Sequence, residues 1–225
     1  MKPTVIFDFD GTLALGDGPI EAYARAIAAG IGDESFAARA TTKLFAYAAG
    51  EVPYRDGYDA VARLAAAEEV PAAAVSAAYD DSRALLGTDA AAVSAPADLS
   101  AFLNRLGNHA RLVLATNAPG DSVIALLDTW GLVDVFDDMH FRVGKPTGLV
   151  PILTDALSRG PVLSVGDIPE FDLAPAAELG ADTALVGLAA GRLDEPATMR
   201  GRSLSDLYEQ IADWAASATA ATAAS

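Results

Sequence analysis

Two aspartates and a glycine close a short apolar segment near the beginning of this sequence. Asp8 and Asp10 lie two positions apart, and Gly11 follows directly. Because side chains two apart on a strand share a face, the two carboxylates repel each other unless a cation neutralises them. Gly11 permits a turn and a close approach of the backbone to a ligand. The spacing therefore indicates a cation site at the end of a strand.

Further charged and polar groups stand after later apolar segments or before helices. Thr116 and Asn117 come after a second strand-like segment and just before a helix, so a hydroxyl and an amide accompany free backbone N–H groups, as is typical of an anion pocket. Lys145, one of only three lysines, lies in a loop before another helix. Asp167 ends a third segment, and Asp172 follows five residues later. These residues add two carboxylates and one ammonium group to the first pair.

Several carboxylates, one lysine and an anion pocket together favour phosphate chemistry with a divalent cation. Mg²⁺ prefers oxygen ligands and is commonly held by one or two carboxylates together with substrate phosphates. A bound cation draws phosphorus toward an aspartate and offsets its charge. A carboxylate can then act as a covalent nucleophile and form an aspartyl-phosphate, while a lysine stabilises charge on the transferred group.

The elements that must bring these residues together are predicted by an alternation of apolar runs and helical spacing. A first strand is predicted at residues 4–9. After Pro96, helices alternate with strand-like runs, which predict further strands at residues 110–115, 133–141, 161–165 and 183–188. Such an alternation forms a mostly parallel sheet covered on both faces, and ligands bind at the carboxyl ends of its strands. We therefore expect the residues named above to converge at one end of a sheet.

A long stretch near the N-terminus contains no strand pattern. Only helical spacing is found from about residue 18 to residue 96, which predicts an all-helical insertion. We place this insertion at residues 17–95 and the α/β core at residues 1–16 and 96–225. The last ten residues, 216–225, contain only Ala, Ser and Thr, and we expect this tail to fray or be disordered.

The composition excludes several classes of site and partner. The chain has no cysteine, so disulfides, iron–sulfur clusters and thiolate zinc sites are excluded, and it has only two histidines. A net charge of −16 argues against binding to nucleic acid or to anionic membranes. No apolar run is long enough to span a bilayer, and acidic residues come too early for a secretory signal, so we expect a cytoplasmic protein.

Four segments, taken in this order, resemble the motifs of the haloacid dehalogenase-like (HAD) superfamily of phosphohydrolases. Residues 5–12 (VIFDFDGT) match the first motif, Thr116 with Asn117 the second, residues 144–146 (GKP) the third, and residues 166–167 (GD) with Asp172 the fourth. The resemblance covers about residues 1–16 and 96–188. It implies a Rossmann-like, three-layer core with a five-stranded parallel sheet, and a helical cap that closes over the substrate and excludes water.

The resemblance implies a role for each acidic residue. Asp8 is expected to be the nucleophile and a Mg²⁺ ligand. Asp10 is expected to offer its backbone carbonyl to Mg²⁺ and its carboxyl group as general acid and then base. Asp167 is expected to ligate Mg²⁺, and Asp172 to support the metal site from outside the direct ligands or through water. Ile168 stands where many members have a polar residue, which affects chiefly the role of Asp172.

The resemblance also implies a phosphate site. Thr116 is expected to bind the phosphoryl group with help from backbone N–H groups, and Lys145 to bridge the phosphate and Asp8. The full set expected to bind phosphate is Asp8, Gly11, Thr12, Thr116, Asn117 and Lys145.

The function implied is that of a Mg²⁺-dependent phosphatase acting on a small-molecule phosphomonoester, similar to phosphoglycolate phosphatases. Alternatives are a phosphomutase, a phosphonate C–P hydrolase or a dehalogenase using the same site, and a non-catalytic regulatory protein. Asp10 argues against a dehalogenase, because dehalogenation needs no acid at that position, and the complete residue set argues against a non-catalytic protein. The expected partner is a small phosphorylated metabolite; the sequence predicts neither which one nor the oligomeric state.

Overall fold

A parallel sheet forms the centre of the α/β unit. The computed structural model describes residues 2–52, 54–192 and 194–223. Its strands are β1 (Thr4–Phe7), β2 (Arg111–Ala115), β3 (Asp138–His140), β4 (Val162–Gly166), β5 (Asp182–Leu185) and β6 (Met199–Arg200). They are all parallel, in the order β3-β2-β1-β4-β5-β6. The central strand β1 has no exposed residue, as expected for a strand covered on both faces.

The sheet of the described chain has six strands, one more than expected. The additional strand, β6, contains only two residues, and a strand this short has no alternation that a sequence could reveal. The third predicted strand is also shorter than expected, since a 3₁₀ turn occupies Val133–Val135 and β3 covers only Asp138–His140.

Helices cover both faces of the sheet. In this unit they are α5 (Leu99–Leu106), α6 (Gly120–Thr129), α7 (Leu149–Leu157), α8 (Ala174–Glu178) and α9 (Tyr208–Ala223). Helices α7 and α8 pack on the face that carries Ile6, Val113 and Val162. Val5 and Phe7, which point to the opposite face, are completely buried as well. The unit therefore has the three layers expected from the sequence.

Helix α9 extends further than expected. The tail predicted to fray from residue 216 continues the helix as far as Ala223. Alanine has the highest helix propensity, so an alanine-rich segment can extend a helix that is already anchored by packing. Ile211 and Ala215 provide that packing, because both are completely buried. Residues 224 and 225 lie outside the described part of the chain.

Residues 16–94 form a second, helical unit. Contacts divide the chain into residues 1–15 with 95–225 and residues 16–94, one residue from the expected boundaries. The second unit contains α1 (Gly18–Ile31), α2 (Ser35–Ala48), α3 (Gly57–Ala67) and α4 (Ala72–Ala84). Its core is built from Tyr23, Ile27, Phe36 and Val61 with several alanines. None of its described residues belongs to a strand, and no described helix of either unit is both long and apolar enough to cross a membrane.

Candidate active site

Three neighbouring strands of the sheet end at the same level and deliver the motif residues. Phe7, the last residue of β1, pairs with Leu114 of β2 on one side and Val165 of β4 on the other. The Asp8 N–H continues this pairing and donates to the Val165 carbonyl at 2.9 Å. The segments that carry Asp8, Thr116 and Asp167 therefore leave the sheet side by side, as predicted for the carboxyl ends of parallel strands.

Lys145 joins two of the carboxylates. Its Nζ donates to Asp8 Oδ1 at 2.6 Å and to Asp172 Oδ1 at 2.7 Å. The side chains of Lys145 and Asp172 are each only 3% exposed, and that of Asp8 is 12% exposed. Burial alone would lower the pKa of Lys145, but the two adjacent carboxylates outweigh it and hold that pKa above its usual value. Lys145 is therefore a fixed positive charge in the site.

The Asp8 carboxyl group is strongly perturbed. Burial raises its pKa from 3.8 to about 7, and the charges of Asp172 and Asp10 act in the same direction, while Lys145 opposes them. Without further positive charge, Asp8 is only partly ionised near neutral pH. A carboxyl group perturbed in this way, at a strand end among other charged groups, is typical of a catalytic position.

Asp8, Asp167 and Asp172 form a cluster whose composition fits a hard divalent cation. Each offers a carboxylate oxygen, and these oxygens lie within 4.8 Å of one another. Gly11 makes room for one of them, because a Cβ atom at Gly11 would overlap the Asp167 carboxylate. Three carboxylates with one lysine leave an excess of negative charge, and an all-oxygen donor set is what Mg²⁺ prefers. The residues present therefore fit the expected ion.

The backbone of the loop after β4 fixes the Asp172 carboxyl group. Residues Pro169–Leu173 form one wide helical turn, and the Ile168 N–H donates to Asp172 Oδ2 at 3.1 Å. Asp172 also packs directly against Gly166, where any side chain would collide with it. Its carboxyl group is thereby aimed at Lys145 and joins the acidic cluster. The apolar residue at position 168 does not disturb this arrangement, because it acts through its backbone.

The two polar residues after β2 have different surroundings. The Thr116 side chain is buried, and its Oγ1 accepts a hydrogen bond from the Ala118 N–H at 3.0 Å. The Asn117 side chain reaches across to the loop after β3, where its Oδ1 accepts a hydrogen bond from the Lys145 N–H at 2.8 Å. Helix α6 begins three residues later, at Gly120. Asn117 thus lies beside Lys145, and the binding of an anion by Thr116 and Asn117 stays a prediction.

The turn after Asp10 uses its backbone donors internally. The Gly11 N–H donates to the Ala14 carbonyl at 2.9 Å, and the Thr12 N–H donates to the Phe9 carbonyl at 3.3 Å. Gly11 has φ +76°, which a residue with a side chain rarely adopts. Both residues therefore shape the turn, and their contact with phosphate stays a prediction. Asp10 is half-buried in the same turn, outside the cluster of three carboxylates.

Comparison with known families agrees with this geometry. The family model of haloacid dehalogenase-like hydrolases matches residues 2–180, most of the chain. The chain is a haloacid dehalogenase-like hydrolase. No curated protein matches its sequence closely enough to count as a relative.

Solved structures show that the hydrolase shares its fold with proteins of several activities. YfnB from Bacillus subtilis, described as a candidate HAD hydrolase and bound to magnesium, has 17% identity over 93% of this chain and 98% of its own, with a TM-score of 0.63. A HAD phosphatase from Thermococcus onnurineus has 18% identity over 93% of this chain and 97% of its own, with a TM-score of 0.58. A 2-haloacid dehalogenase from Pseudomonas syringae has 18% identity over 95% of this chain and 100% of its own, with a TM-score of 0.56. At these identities the similarity concerns the fold alone.

Sequence reasoning missed two residues that hold the hydrolase's site together, Ser164 and Gly187, and it named Gly166 only as part of the fourth motif. A Cβ atom at Gly166 would overlap the Asp172 side chain, and Gly187, at φ +75°, lies against the Asp167 side chain. The buried Ser164 donates through Oγ to the Asp172 carbonyl at 2.7 Å. A polar residue in the middle of a buried parallel strand was the one available signal, because such strands are otherwise apolar. Gly187 gave none, since its partner Asp167 lies in a separate loop.

Proposed function

We propose that this hydrolase is a Mg²⁺-dependent phosphatase that cleaves a small-molecule phosphomonoester through an aspartyl-phosphate on Asp8. The observation that carries the proposal is the bridging of Asp8 and Asp172 by Lys145, at 2.6 and 2.7 Å, beside the Asp167 carboxylate. A nucleophilic carboxylate, a fixed cation and further oxygen ligands are then gathered at one point. This is the combination that transfer of a phosphoryl group to a carboxylate requires.

The acidic cluster supports the requirement for magnesium. Asp8, Asp167 and the backbone carbonyl of Asp10 would hold the ion, and Asp172 lies close enough to contribute. When bound, Mg²⁺ supplies positive charge that offsets the repulsion between the Asp8 carboxylate and an incoming phosphate. The magnesium-bound structure of YfnB, which shares the fold, is consistent with such a site.

The residues of the site divide the reaction between them. An Asp8 carboxylate oxygen attacks phosphorus, and the bond from phosphorus to the ester oxygen breaks. Asp10 in its protonated form gives its proton to the departing alkoxide. Asp10 then takes a proton from a water molecule that attacks phosphorus in the aspartyl-phosphate, which releases inorganic phosphate and restores Asp8. The product is the free alcohol of the substrate.

Lys145 and Thr116 hold the transferred group during both steps. Lys145 already donates to Asp8 and can donate a further hydrogen to a phosphoryl oxygen, because an ammonium group has three. The Thr116 hydroxyl accepts from the Ala118 N–H, so its own hydrogen can be donated to a second phosphoryl oxygen. Negative charge that develops on the phosphoryl oxygens is stabilised by these preorganised donors.

A comparison of Asp8→Asn with the wild type tests the proposal. We expect colorimetric hydrolysis of an aryl phosphate that stops in EDTA and returns with Mg²⁺, and a loss of at least about 10³-fold in kcat for Asp8→Asn, because an amide is a poor nucleophile. Asp155→Asn is the matched control, since Asp155 is exposed and pairs with Arg159 at the C-terminal end of α7. Turnover that survives in Asp8→Asn would contradict the assignment of the nucleophile.

A further inference from the structure

The side-chain oxygen of Asn117 is bound to the main chain of the loop that carries Lys145. The Lys145 N–H donates to Asn117 Oδ1 at 2.8 Å, although the two residues are 28 positions apart. Sequence reasoning placed Asn117 among the phosphate ligands. The observed contact is with the protein itself and holds the residue whose side chain reaches Asp8.

The neighbouring contacts show that this loop is fixed to the segment after β2. The Val143 N–H donates to the Thr116 carbonyl at 3.1 Å, and the Gly148 N–H closes the loop on the Gly144 carbonyl at 3.0 Å. Two consecutive residues, Thr116 and Asn117, therefore anchor the loop at Val143 and at Lys145. Of these two anchors, only the one from Asn117 is made by a side chain, so this one can be removed by a substitution that leaves the backbone groups unchanged.

Lys145 is consequently held at both of its ends. Its backbone nitrogen is fixed by Asn117, and its Nζ is fixed by Asp8 and Asp172. An ammonium group between two carboxylates at such short distances tolerates little displacement, because hydrogen bonds weaken steeply with distance and angle. A shift of the backbone at Lys145 would be passed to Nζ, since a side chain that is only 3% exposed in a close-packed interior has little freedom to change rotamer.

We propose that Asn117 is a positioning residue for Lys145 and acts through its side-chain oxygen rather than by binding phosphate. The kinetic part of this inference rests on the proposed phosphatase activity. The structural part does not, because the position of Lys145 can be measured without turnover.

Two substitutions separate the oxygen of Asn117 from its amide group. Asn117→Leu keeps a similar volume and removes the acceptor, whereas Asn117→Asp keeps the acceptor and removes the N–H donors. We expect Asn117→Leu to lower kcat about 30-fold with KM changed less than about threefold, because a misplaced catalytic group affects the chemical step. The kcat of Asn117→Asp should be at least about tenfold higher than that of Asn117→Leu, although the charge of the new aspartate lies near the proposed phosphate site.

The three lysines of the chain provide a readout that does not depend on activity. Lys2 and Lys43 are exposed and Lys145 is buried, so an amine-acylating reagent followed by mass spectrometry should modify the first two in the wild type. We expect acylation of Lys145, relative to Lys43, to rise at least about fivefold in Asn117→Leu, because a released loop opens locally more often. It should stay near the wild-type level in Asn117→Asp. Asn108→Leu, at an exposed site, is the control for adding a leucine to the surface.

The outcomes decide between positioning and phosphate binding. A higher KM and a weaker inhibition by inorganic phosphate in both variants, with kcat and Lys145 acylation unchanged, would make Asn117 a phosphate ligand and overturn the proposal. An Asn117→Leu variant that matches the wild type in both readouts would overturn it too. If the wild type does not hydrolyse phosphate esters, the proposed function fails, and the acylation of Lys145 alone then decides whether Asn117 positions Lys145. Asn117→Ala replaces Asn117→Leu if the latter does not fold.

Discussion

At the scale of single residues, the charged side chains of the site offset one another's charge only in part. Lys145 offsets the charge of Asp8, but burial and the neighbouring Asp172 and Asp10 still raise the pKa of Asp8 to about 7. Ionised carboxylates gathered in a buried site cost stability unless a cation is bound. Asp8, the proposed nucleophile, is therefore held where its charge would serve the proposed reaction and is unfavourable for the metal-free fold.

Asp8→Asn is expected to stabilise the metal-free protein at neutral pH. A carboxyl group whose pKa is raised on folding binds its proton more tightly in the folded state, so its stabilising contribution is present below 3.8 and is lost as the pH rises to about 7. In EDTA, urea unfolding at about pH 8 should give a free energy of unfolding higher by on the order of 1 kcal/mol for Asp8→Asn than for the wild type. At about pH 4 the two proteins should be similar. A lower stability of the variant at both pH values would contradict the cause given for the raised pKa.

Thr12→Val is expected to keep or increase stability. The Thr12 hydroxyl is completely buried and has no hydrogen-bond partner within the described chain. Valine has the same shape without the polar atom, so removing an unsatisfied hydroxyl should change the free energy of unfolding by between zero and about +1 kcal/mol. Thermal unfolding in EDTA measures this. A loss of more than about 1 kcal/mol would show that the hydroxyl has a partner, such as buried water.

At the scale of elements, the loops after β1 and β4 meet because one residue lacks a side chain. Gly11 lies directly beneath the Asp167 carboxylate, so the first and fourth motifs depend on the same glycine. The strands alone bring the backbones to the same level, since β1 and β4 pair in register. The final approach of Asp167 to Asp8 is decided by this contact between loops.

Gly11→Ala is therefore expected to abolish stabilisation by Mg²⁺. The added Cβ would displace Asp167 from the acidic cluster. Gly131→Ala is a matched control, because Gly131 has a φ of +67°, similar to the +76° of Gly11, but a Cβ atom added at Gly131 would meet no other atom within 4 Å. Both variants should lose about 1 kcal/mol from backbone strain.

The difference between the two glycine variants should be seen with the metal. In a thermal shift assay, Mg²⁺ should raise the Tm of the wild type and of Gly131→Ala, since an ion that binds only the folded state stabilises it. Gly11→Ala should show no such rise. An equal Mg²⁺ response in both variants would mean that the acidic cluster is not the metal site.

At the scale of the whole molecule, a net charge of −16 opposes the compact state. Repulsion between like charges across the surface is screened by salt. We expect the Tm in EDTA to rise by a few °C between about 10 mM and about 0.5 M NaCl, with the same rise in KCl because screening does not depend on the ion. An unchanged or falling Tm would show that attractive pairs, such as that of Arg39 with Glu68, outweigh the repulsion.

Much of the architecture could be predicted because strands and helices leave local patterns of apolar residues in the sequence. The apolar runs predicted five of the six strands found in the described residues, and the spacing of apolar residues predicted a helical unit within one residue of its boundaries at 16–94. Strand β6 and the extension of α9 could not be predicted in this way. The first has only two residues, and the second depends on the packing of Ile211 and Ala215 that precedes it.

The sequence by itself determined which chemical groups stand at the strand ends, because residue types and their distance from each apolar run are local properties. These groups predicted a cation and phosphate site, and the resemblance of the four motifs that carry them predicted a hydrolase of the haloacid dehalogenase-like family. Only the tertiary structure decided that Lys145 binds Asp172 as well as Asp8, and that Asn117 binds the backbone of Lys145. Lys145 and Asp8 are 137 residues apart, so their contact depends on the order of strands in the sheet and on how loops of different strands pack.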